Sequence, residues 1–187
     1  WLKRYYPEPF MAAIMNSVFG NAAKIAGYIQ YCRGRSVPIL PPDVNASQWK
    51  FTVRKLPDGR QAILFGLGAV KNVGESAIAS IIQEREKGPF KDIFDFCRRI
   101  DTALVNKRVV ESLIRAGAFD ATGANRPQML AVYERAMDAN ISRRKQNVDG
   151  QLSLFDLAFG GEAIDMGGDE SLPDLPVYPP RTRLAME

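Results

Sequence analysis

The sequence predicts a mainly α protein with one small β-hairpin, on three observations. Apolar residues recur at helical spacing over most of the first 145 positions. One stretch, Trp49 to Phe65, switches to alternation on either side of turn residues. No strand–helix–strand alternation of the kind that builds a parallel sheet is present.

Pro9, Phe10, Met11, Ile14 and Val18 predict a helix from Pro9 to Gly20. Asn21 caps a second helix with Ile25, Ala26, Ile29 and Cys32 inward and Gly34 as its stop. Val37 to Leu40 is a short strand broken by Pro41-Pro42. Trp49, Phe51 and Val53 alternate, Leu56-Pro57-Asp58-Gly59 is turn chemistry, and Ala62 to Phe65 returns as a strand. Helices are expected over 67–71, 75–86, 91–99, 107–116 and 126–145, with Asn106 and Gly117 bounding the fourth.

The 187 residues are 46% hydrophobic and 25% charged, which is globular rather than disordered usage. There is no histidine, which excludes His-based triads, His general bases and HExxH zinc sites. Cys32 and Cys97 have no second ligand pair near them, so a zinc knuckle is excluded and a reducing, cytoplasmic setting is expected. No apolar run approaches the roughly 20 residues of a membrane span. The chain opens on Trp1 rather than Met and is expected to be a piece of a longer protein. Charge is uneven. Residues 1–150 hold 23 Lys and Arg against 14 Asp and Glu, whereas 151–187 hold 2 against 7. A basic body with an acidic tail fits a polyanion partner for the body.

The run from Phe65 to Ile81 is glycine-rich but is no nucleotide loop. A dinucleotide fingerprint needs glycine where Lys71 stands, and a Walker loop needs glycine where Val73 stands. It fits a helix-hairpin-helix: a short helix Leu67–Lys71, a hairpin Lys71-Asn72-Val73-Gly74, and a second helix from Glu75. Gly74 permits a backbone geometry and a close approach that a side chain would block. The free N–H groups of the hairpin and of the helix start at Glu75 and Ser76 can point at one phosphate oxygen, with Lys71 adding charge. Asn72 stands where such hairpins usually carry glycine, and Asn tolerates left-handed backbone best among other residues. The bland alternative is a packing corner between two helices. A degenerate second copy follows, in which Lys107 and Arg108 at a helix start meet phosphate by side chain or merely pack. Further on, Gln151-Leu152-Ser153-Leu154-Phe155 is a short apolar segment in a linker-like region, either a peptide anchor for a partner's pocket or a last turn packed on the core.

Taken in order, Trp1-Leu2-Lys3, Tyr6-Pro7, Phe10-Met11-Ala12-Ala13, Leu40 to Asn45, Phe65 to Glu75, Phe94 to Cys97, Asn106 to Val109 and Gly117 to Asp120 resemble the alpha subunits of bacterial replicative DNA polymerase III. The resemblance implies the C-terminal part of the fingers, with tandem helix-hairpin-helix elements on double-stranded DNA at Lys71 to Ser76, Lys107 and Arg108. It implies a sliding-clamp motif at Gln151 to Phe155 and an acidic linker toward an oligonucleotide-binding domain beyond Glu187. The division it implies is 1–60 for a fingers segment, 61–148 for the tandem hairpins and 149–187 for clamp motif and linker. Polymerase Mg2+ would belong to palm carboxylates upstream, and no Asp-x-Asp pair occurs here, so no catalytic residue is assigned. Other holoenzyme subunits would meet the parent chain. The rivals are a helix-hairpin-helix glycosylase using Asp92 or Asp95 after Gly88-Pro89, and a helical scaffold binding protein only.

Overall fold

The computed structural model describes residues 1–148, 171–179 and 182. The order is α1 (Leu2–Tyr5), α2 (Pro7–Ser17), α3 (Ala22–Arg33), β1 (Ile39–Leu40), β2 (Thr52–Lys55), β3 (Gln61–Leu64), α4 (Glu75–Glu86), α5 (Ile93–Arg99), α6 (Lys107–Arg115) and α7 (Arg126–Val148). The mainly helical class with a small sheet holds. Among the described residues, no helix is long and apolar enough to cross a membrane.

The sheet is larger than the expected hairpin. β2 and β3 pair antiparallel, Thr52 opposite Leu64 and Lys55 opposite Gln61. β1 adds a third strand, parallel to β3, with Ile39 opposite Ile63. A parallel pair needs a crossover rather than a tight turn, so nothing local in the sequence marks it. α2 starts at Pro7, two residues before the expected start, and is preceded by α1. The expected helix 67–71 is a single 3-10 turn, Leu67–Ala69, because Val70 is already extended.

Two apolar cores result. The first lies between α2, α3 and the sheet, with Met11, Met15, Ile25, Cys32, Phe51 and Ile63 buried. Asn16 locks α2 to the strand segment by a two-way bond. Its Nδ2 donates to Phe51 O at 2.9 Å, and Phe51 N–H donates to its Oδ1 at 2.9 Å. The second core joins α4 to α7, with Ile78, Ile81, Phe96, Leu113, Phe119 and Met129 buried. Phe96 meets Phe90 and Phe119 edge-on, each at 4.8 Å between ring centres, the geometry aromatic quadrupoles prefer. Buried Asn140 of α7 donates to Cys97 O at 2.6 Å, satisfying an end carbonyl of α5.

Trp49 spans both cores. Its ring lies 5.5 Å from that of Phe19 on the first and packs against the second. Residues 171–179 have no regular secondary structure and lie against the start of α7, where Asn125 Nδ2 donates to Leu175 O at 2.8 Å and Gln128 Nε2 to Pro173 O at 2.9 Å.

Candidate nucleic-acid interface

The hairpin is set from behind by packing. Gly66 and Gly68 serve that packing: a Cβ on Gly66 would stand 2.5 Å from the Lys50 carbonyl carbon, and one on Gly68 2.6 Å from the Trp49 ring. Val73 is buried in the second core and pins the turn. Behind the helix that follows, Arg85 Nη1 donates to Val44 O at 3.1 Å and Ser47 O at 2.6 Å. Burial lowers that guanidinium's pKa.

The front of the hairpin is open. Lys71, Asn72, Gly74, Glu75 and Ser76 are exposed. Asn72 sits at φ 65°, the left-handed region in which Asn substitutes for Gly, and its Nδ2 donates to Ser112 Oγ of α6 at 3.3 Å. Gly74 is the residue before α4, at φ −84° and ψ 161°, backbone that any residue adopts. The conformational need expected for Gly74 is therefore absent. What remains is space, since a Cβ there meets nothing within 4 Å. Among the described residues no side chain caps α4, so its first N–H groups have no capping partner there. Its neighbours differ. Asn21 caps α3 at Lys24 N–H, Asp92 caps α5 at Asp95 N–H, and Asn106 caps α6 at Val109 N–H.

The stretch expected as a second hairpin is arranged differently. Val105 is buried as Val73 is, but Asn106 closes the amide site with its own carboxamide oxygen at 3.0 Å. Lys107 Nζ is held by Asp138 of α7 at 2.7 Å, while Arg108 is exposed. Asp92 and Asp95 are structural: Asp92 caps α5, and Asp95 pairs with Arg99 at 3.2 Å and accepts from Lys91 N–H. Among the described residues, no group of three or more His, Cys, Asp or Glu is placed to hold a metal ion. Gln151 to Phe155 lie outside the described residues. Sequence reasoning missed the bracing partners Ser112 and Asp138. Each lies 31 or more positions from its partner, and no local signal marks either.

Residues 36–129, from the approach to the sheet through both hairpins to the start of α7, match the family described as the helix-hairpin-helix motif. The chain belongs to the helix-hairpin-helix family. Within the matched span, the turn Lys71–Gly74 precedes a helix with no side-chain cap, and the loop Asp101–Asn106 precedes one capped by Asn106. Relatives named DNA polymerase III subunit alpha are similar along the chain. That of Vibrio cholerae is 39% identical over 100% of this chain, that of Escherichia coli K12 40% over 83%, and that of Saccharopolyspora erythraea 44% over 91%. The chain spans 16%, 13% and 14% of those three relatives.

Proposed function

We propose that this chain is part of a replicative DNA polymerase of the DNA polymerase III alpha type, and that it grips the polymerase's duplex and its clamp. The observation that carries the first grip is the uncapped start of α4 behind an open Gly74. Unpaired amides at a helix N-terminus bind anions, and a glycine with free space before it lets a phosphate come close. Lys71 supplies charge at the rim. Contacts of this kind hold DNA without reading its sequence, as a polymerase that travels over all sequences requires. The side-chain cap on α6 makes the second hairpin a weaker partner, acting through Arg108.

The second grip is Gln151-Leu152-Ser153-Leu154-Phe155, with Leu154 and Phe155 filling a pocket on the sliding clamp and Gln151 bonding at its rim. Its support is the sequence and its place after the hairpins. Two modest grips on one assembly make the second intramolecular and slow dissociation. In this reading 1–60 is a fingers segment, 61–148 the DNA-holding part and 149–187 the clamp motif and linker. Mg2+ and polymerisation belong to other parts of the longer protein, which works in the cytoplasm at the nucleoid.

The test is binding of a bacterial sliding clamp and of a fluorescent duplex to the chain and to Leu154→Ala/Phe155→Ala. The reading expects the double variant to lose the clamp by 10-fold or more in affinity and to keep the duplex. Equal clamp binding by both chains removes the second grip. Absence of salt-dependent duplex binding removes the first and leaves a protein-binding scaffold.

A further inference from the structure

The chain that leaves α7 comes back to where α7 begins. Gln128 Nε2 and Asn125 Nδ2 donate to the carbonyl oxygens of Pro173 and Leu175, at 2.9 and 2.8 Å. Both carboxamides already have another task. Asn125 Oδ1 accepts from Gln128 N–H, and Gln128 Oε1 accepts from Asn125 N–H, each at 3.0 Å. This is the reciprocal pair that caps a helix start. A backbone N–H needs an oxygen, so both oxygens face the helix and both NH2 groups face outward. Asp and Glu would serve the cap as well, and their charge suits a helix N-terminus better. Only the amides can also donate to a passing carbonyl.

The returning segment is suited to being held by its backbone. Pro173, Pro176 and Pro179 fix their own φ and restrict Leu172, Leu175 and Tyr178 before them, which lowers the cost of ordering the segment. The two accepting carbonyls flank Asp174, which is exposed. Val177 and Tyr178 line a small cleft with Asp120, Asn125, Arg126 and Pro127.

α7 runs antiparallel to α6. Arg126 at its start donates to Arg115 O at the end of α6, and Asp138 further along pairs with Lys107 at the start of α6. α7 then continues to Val148 and is roughly 34 Å long in all. The held segment therefore lies at the end of α7 remote from Lys107 and Arg108.

We infer that Asn125 and Gln128 form a clasp. Their oxygens cap α7, their NH2 groups hold the strap Pro173–Tyr178, and the strap routes the chain that follows α7 away from the basic start of α6. The clasp stands whether or not the hairpin at Lys71–Gly74 holds a duplex.

The experiment puts a nitroxide on the strap of the full 187-residue chain, at Asp174→Cys, and reads the broadening of backbone amide NMR signals. Cys32 and Cys97 are buried, and the parent chain treated with the same reagent gives the baseline. The amides of Met129 and Leu130 should lose intensity several-fold, and those of Arg108 and Val109 should not change. Adding Asn125→Asp/Gln128→Glu keeps the cap and removes both strap donors. Its spectrum should stay folded, and the broadening at Met129 and Leu130 should fall several-fold. Unchanged broadening in that variant overturns the clasp. Broadening at Arg108 and Val109, or none at Met129, in the singly labelled chain overturns the strap, and that measurement needs no change at Asn125 or Gln128.

Discussion

The carboxamide of Asn72 donates to the hydroxyl of Ser112 at 3.3 Å, and so ties the first hairpin to the helix of the second. Asn72 holds a left-handed backbone at φ 65° while reaching across. These two demands separate by substitution. Asn72→Ala keeps neither and should destabilise by about 1–2 kcal/mol, the cost of left-handed backbone with a Cβ. Asn72→Gly relieves the backbone and loses one exposed bond, and should stay within about 0.5 kcal/mol of the parent chain. Denaturant midpoints of the two variants check this ordering, and equal losses would refute it.

Gly74 sets stability against binding. Ser at that position has room for its side chain and a backbone already suited to capping. Gly74→Ser should therefore raise stability by a few tenths of a kcal/mol. The same hydroxyl fills the space in front of the α4 amides, so duplex affinity should fall. Thermal melts and duplex titrations on one preparation measure both, and a variant that binds more tightly would exclude the amide site.

Lys71 and Lys107 should differ although both sit at hairpins. Lys71 forms no ion pair among the described residues, whereas Lys107 is held by Asp138. Lys71→Ala should reduce the duplex salt slope by about 0.9. Lys107→Ala should reduce it by less, because its charge is already answered. Slopes from affinities at four or more salt concentrations decide.

The buried Arg126 depends on Asp120. Its side chain is 4% exposed, and it donates to both Asp120 oxygens at 3.0 and 2.8 Å and to Arg115 O at 2.9 Å. Asp120→Ala removes the carboxylate from that buried charge and should cost about 3 kcal/mol. Asp120→Ala/Arg126→Met should recover much of the loss, as measured by chemical unfolding.

Both thiols should be silent in the folded chain. Cys32 and Cys97 are fully buried, and burial, with Asp92 nearby, pushes Cys97 up to about 12. A thiol reagent at pH 8 should leave both untouched until denaturant is added. Tyr133 is likewise raised to about 12, by burial and then by its bond to Glu134. A raised folded pKa gives stability that is complete below the unfolded value and lost as pH rises through the folded one. Stability should therefore be flat up to about pH 9 and fall toward pH 12. Cys97→Ala should flatten part of that fall.

Much of this was legible in the sequence because the signals were local. Asn21 and Asn106 announced helix starts by capping chemistry, and Lys71-Asn72-Val73-Gly74 read as a tight turn before the helix from Glu75. What escaped depends on contacts between distant segments. β1 finds β3 across more than twenty residues. In the stretch that suggested a ligand loop, Gly66 makes room for the Lys50 backbone and Gly68 for the Trp49 ring. Lys107 looked available until α7 brought Asp138 to it. Gly74 was singled out partly for a backbone geometry it does not adopt, and its open space became visible only in three dimensions.

Trp49 lies between two cores, and the only other tryptophan, Trp1, is 80% exposed. Trp1→Phe would leave a single fluorophore at that seam. Its emission would report directly whether the two halves of the molecule melt as one cooperative unit, and its quenching would show whether a bound strand alters the way they are held together.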